Sequence, residues 1–99
     1  MPTDTDAKFF DRADAHIHLA NEQLEGMPRG KVSASMMYGT ARFNAWVTAC
    51  GFKSGSQMTA ERNATIDYFV AQYRAMLEEN FDDYAENFAR YMQADGGKV

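Results

Sequence analysis

From residue 27 to residue 56 the chain has no acidic side chain at all. Cysteine is almost as scarce: Cys50 is the only one, so no internal disulfide can form, and a lone thiol in an apolar stretch reads as buried and reduced. Two prolines and seven glycines leave most of the chain free of helix breakers. No segment alternates apolar and polar residues for long, which argues against a sheet. No apolar run reads as a membrane span, and the opening Met1-Pro2-Thr3-Asp4-Thr5-Asp6 is acidic and precedes no apolar stretch, unlike a secretory or transit leader. A net charge of -4 disfavours non-specific binding to nucleic acid or anionic lipid. The expectation is a cytoplasmic protein that binds neither nucleic acid nor membrane.

What is present points to helices. Ninety-nine residues make one domain, 1–99 with an ordered core of about 5–94, and 45% hydrophobic with 24% charged residues is ordinary globular composition. Apolar residues recur at three- and four-residue spacing, predicting helices near 5–25, 33–50, 57–80 and 82–94. Gly26 and Pro28 end the first, Ser33 caps the second, and Gly51 stops it. An unbroken helix from 57 to 94 would outrun the core of so small a domain, so a break is placed between Asn80 and Asp83. The fold class is all-α, a three- to four-helix bundle expected to be dimeric.

The second helix is the unusual one. Val32 to Phe52 carries a single charge, Arg42, and a helix apolar on nearly every side must be covered on nearly every side. Small residues (Ala41, Ala45, Ala49; Ser35, Gly39) permit close helix approach, while Val32, Met36, Phe43, Val47 and Cys50 form a bulky side. A homodimer through this helix is the simplest cover. Net charges of -4, +4 and -4 over residues 1–26, 27–56 and 57–99 favour placing it between its acidic neighbours.

Chemistry-bearing groupings are sparse. Glu25-Gly26-Met27-Pro28-Arg29-Gly30-Lys31-Val32-Ser33 imitates a phosphate-binding loop, but its first glycine is one position too close and Val32 fills the Ser/Thr slot. A looser anion site remains conceivable from Arg29, Lys31 and Ser33 at the helix start, with Arg42 further along. A lone guanidinium in an apolar helix needs a partner, and Glu78, Glu79, Asp82 and Asp83 are the favoured carboxylates, within the chain or across subunits. His16 and His18 point about 200° apart on a helix and cannot share a metal. No nucleophile stands beside a base, so no catalytic residue, metal or cofactor is assigned.

Two segments carry a resemblance: Arg29-Gly30-Lys31-Val32-Ser33-Ala34-Ser35-Met36-Met37-Tyr38 running on to Ala41-Arg42-Phe43-Asn44-Ala45, and Tyr73-Arg74-Ala75-Met76-Leu77-Glu78-Glu79-Asn80-Phe81-Asp82-Asp83-Tyr84. With Phe10, Arg12-Ala13-Asp14 and Leu19-Ala20-Asn21-Glu22-Gln23, they resemble a small family of uncharacterised proteins found mainly in proteobacteria, over about residues 9–88. The resemblance implies a bacterial cytoplasmic setting and a helical fold, and brings no activity. The leading functional expectation is a non-enzymatic, self-associating helical protein that binds another macromolecule as regulator or adaptor. The alternative is a small-molecule or anion-binding protein, or an enzyme, with a site around Arg29, Lys31 and Arg42.

Overall fold

The computed structural model describes residues 5–94 and Val99. Five helices follow in order: α1 (Phe9–Gln23), α2 (Arg29–Ala49), α3 (Gly55–Ala60), α4 (Arg62–Glu86) and α5 (Phe88–Ala94). No strand occurs among the described residues, so the fold is all-α. The count reaches five because the third predicted helix begins with a separate short turn, α3, before Glu61 redirects the chain.

α1 opens beside Asp6, whose carboxylate accepts from the Arg12 guanidinium and whose carbonyl accepts from Phe9 N at 3.1 Å. It stops where Gly26 takes φ +70°, a left-handed value that suits a residue without Cβ. α2 starts four residues earlier than its sequence suggests. Pro28, not Ser33, is the N-cap: its extended backbone presents a carbonyl to Lys31 N and Val32 N at 3.1 and 3.4 Å. Ser33 therefore lies inside the first turns. At α3 the cap is Ser54, whose hydroxyl accepts from Gln57 N at 3.2 Å while the Gln57 side chain accepts from Lys53 N at 3.0 Å. The exchange works like a capping box shifted by one residue.

The expected break between Asn80 and Asp83 is not there. Asn80 turns its amide onto Met76 O at 2.8 Å, within the helix, and α4 runs on for another turn and a half. The chain departs from helix at Asn87 (φ -112°, ψ 28°), whose amide donates to the Asp83 carbonyl and carboxylate, both at 3.0 Å. Tyr91 OH adds a 2.9 Å bond to the same carboxylate. The junction is thus pinned by side chains four residues apart.

The principal packing joins neighbours in sequence: α1 on α2, α3 on α4, α5 on α4. α2 and α4 are the arms of a hairpin that opens away from the α3 turn, with a cleft between them lined from Ser33 to Thr48 on α2 and from Arg62 to Tyr73 on α4. Val32, 7% exposed near the start of α2, is the one buried hydrophobic residue among those described. Cys50 is exposed, contrary to the buried thiol expected: the cover anticipated for α2 is not supplied by its own chain. The molecule is correspondingly long, 50 Å on its main axis with a radius of gyration of 16.2 Å, against about 13 Å for a compact chain of this length.

Candidate functional site

The cleft between α2 and α4 has a volume of about 780 Å³ and walls that are mostly apolar. On α2, period 3.6 brings Met36, Met37, Ala41 and Ala45 to it, with Thr40 and Thr48 folding their hydroxyls back onto carbonyls four residues earlier at 2.9 and 2.8 Å. Those hydroxyls spend their hydrogen bonds on their own helix and leave the wall apolar. On α4 the wall is Ile66, Phe69, Val70 and Tyr73, and Met58 of α3 closes the apex. A shallower concavity of about 650 Å³ lies on another side of α2, floored by Gly39, Ala45 and Ala49 beside Trp46 and Phe43. The two rings stand 5.5 Å apart.

Apolar exposure extends beyond both. Phe81 is 69% exposed, Phe88 65%, Phe10 60% and Leu77 50%. Total accessible surface is 8285 Å², where a folded monomer of 11.2 kDa exposes about 5,700 Å². The excess is about 2,600 Å². A fully extended residue exposes about 160 Å² on the same scaling, so the eight terminal residues outside the described set account for at most half of it.

The sequence-predicted site residues do not converge. Arg29 and Lys31 are exposed on the first turn of α2, Ser33 lies at the open end of the large cleft, and Arg42 lines the shallow concavity. Ser33 and Arg42 are about 13 Å apart along the helix axis. Arg42 is exposed and forms no ion pair among the described residues, so the expected salt bridge to Glu78, Glu79, Asp82 or Asp83 is not made within the chain. Glu78 pairs with Arg74 at 3.3 Å, and Asp83 is held by Asn87 and Tyr91. His16 and His18 are exposed on α1. Among the described residues no group of three His, Cys, Asp or Glu side chains is arranged to hold a metal, and no helix is long and apolar enough to cross a membrane.

The cleft itself went unread in the sequence, although its signal is there in the stripe Ile66, Val70, Tyr73 facing an acid-free helix. The Asp83-Asn87-Tyr91 spacing is likewise a signal for the α4–α5 junction.

Among curated proteins none matches this chain. An NMR structure of the protein NB7890A from Shewanella sp is similar to it, with 37% identity over 94% of this chain and 99% of that one, and a TM-score of 0.74. Residues 9–85 match the family described as "Protein of unknown function (DUF3144)". An all-α match across so much of the sequence settles its kinship: the chain belongs to the DUF3144 family.

Proposed function

We propose that this chain is an interaction module of the bacterial cytoplasm, non-enzymatic, which forms a homodimer through α2 and acts in that form as a regulator or adaptor for another protein. The observation that carries the reading is the surface excess. Removing about 1,300 Å² per subunit, the part that chain ends cannot supply, would bury about 2,600 Å² in a dimer, within the range of obligate interfaces. The residues on offer have the composition of an interface core, rich in Met and aromatics and poor in charge. One buried hydrophobic residue among those described is too little core for a stable monomer of this size.

Sedimentation equilibrium at micromolar concentration tests it. The expected mass is twice 11.2 kDa; a single species at 11.2 kDa, folded by circular dichroism, would reject self-association.

A further inference from the structure

Resting on the self-association proposed above, we infer that the occupant of the α2–α4 cleft is the second half of α4 from a second copy of this chain, antiparallel to the resident α4, with the two-fold axis beside Leu77.

The apolar stripe of α4 repeats. Ile66, Val70 and Tyr73 recur eleven residues later as Leu77, Phe81 and Tyr84, a spacing of 3.67 residues per turn that keeps the stripe in line along a nearly straight helix. The first triplet lines the cleft. The second lies beyond the part of α4 that α2 faces, and Leu77 and Phe81 are exposed. Each copy therefore has a lined groove and, on the same helix, a matching ridge in which Leu77 and Phe81 are exposed and Tyr84 packs on Tyr91 of α5, 4.7 Å between ring centres, the arrangement that an isologous contact needs.

Register follows from the repeat. With Leu77 on the axis, Phe81 of one copy comes level with Tyr73 of the other, and Tyr84 with Val70. From Leu77 to Phe88 the ridge is about 16 Å long, and the α2 wall from Ser33 to Thr48 is about 22 Å, so the ridge fits within the groove. The inserted helix then touches α2 and α4 together, giving a layer of four helices in which every contact occurs twice.

Charge selects the direction. A parallel α4 pair would bring Glu78, Glu79, Asp82 and Asp83 against their own copies. In the antiparallel pair Asp82 and Asp83 lie about 15 and 18 Å along the helices from their own copies, toward the open end of the cleft, where α2 begins with Arg29 and Lys31.

Cysteine cross-linking in a Cys50→Ser background reads the register. Leu77→Cys should oxidise to a disulfide-linked dimer, because its two copies meet on the axis. Phe81→Cys alone should not, since its copies lie about 12 Å apart along the helices, beyond disulfide reach. Sedimentation separates the two levels of failure: a monomer overturns both proposals, whereas a dimer that links through Phe81→Cys and not Leu77→Cys overturns this pairing and leaves self-association standing.

Discussion

α2 and α4 are the two longest helices, and they carry their apolar residues differently. α2 spreads them around its circumference, with Met37, Tyr38 and Phe43 exposed on different sides and small residues between. α4 gathers most of them into one stripe, with its acids on the flanks and the opposite face. The difference assigns roles: a stripe makes a ridge that presses in one direction, whereas a helix apolar all round receives neighbours from several. α2 is buried only at Val32 near its start, so it is the receiver still short of neighbours, and α4 has ridge to spare.

The sharpest way to break that comparison is to place one charge on each helix. Leu77→Asp would bury two carboxylates beside each other on the proposed axis, and the dimer dissociation constant should rise at least about a hundredfold. Trp46→Asp is the contrasting change, because Trp46 lies on the side of α2 turned away from the cleft. Its effect should stay below about threefold, as for surface substitutions away from an interface. Sedimentation velocity across a dilution series measures both. Equal losses would mean that α2 docks by its tryptophan face instead.

The contrast also marks how far the sequence was readable. Periodicity located α1, α2 and most of α4, and Gly26 ended α1 as expected, because a left-handed residue is nearly always a glycine. Caps were harder. Pro28 and Ser33 both suit a helix start, and the choice fell to backbone geometry at Pro28 that no residue type announces. Asparagine tolerates helix ends and so reads as a stop, yet in the middle of α4 the Asn80 amide has a carbonyl four residues back to bond. Cys50 reads as buried and is exposed, and of the two settings expected for Arg42, an ion pair within the chain or across subunits, the first is not made among the described residues. That α2 needs cover is written in its composition; which molecule supplies the cover is a property of the assembly.

A smaller effect sharpens the hinge between the two helices. Ser54 caps α3 by accepting from Gln57 N, and α3 sets the angle at which α4 leaves the turn. Ser54→Ala should cost about 1 kcal/mol, the usual value of a lost N-cap, measured by urea denaturation at fixed protein concentration. Its main consequence should be a looser cleft, visible as faster amide exchange at Met58 and Thr59 than in the helices on either side. Uniformly faster exchange across α2 and α4 would show that the turn does not act separately from the arms.

The smallest expected effect lies at the far end of the molecule, on the helix that already covers α2. The Arg12 guanidinium bonded to Asp6 holds that carboxyl below its ordinary value of 3.8, against the opposing pull of desolvation and with the Lys8 amide adding to the lowering. A carboxyl whose pKa is lower in the folded state contributes stability above its unfolded value, and loses that contribution as pH falls through the folded one. Both groups are exposed, so the contribution is slight. It concerns only the start of α1. Carbon-detected NMR titration should find Asp6 below 3.8 in the wild type and restored to the ordinary carboxylate range in Arg12→Gln. The dimer dissociation constant should be the same in both, because the exposed Asp6–Arg12 pair at the start of α1 is not among the residues that line the cleft. A change in affinity on removing Arg12 would place α1 in the interface and return the comparison of α2 and α4 to three helices instead of two.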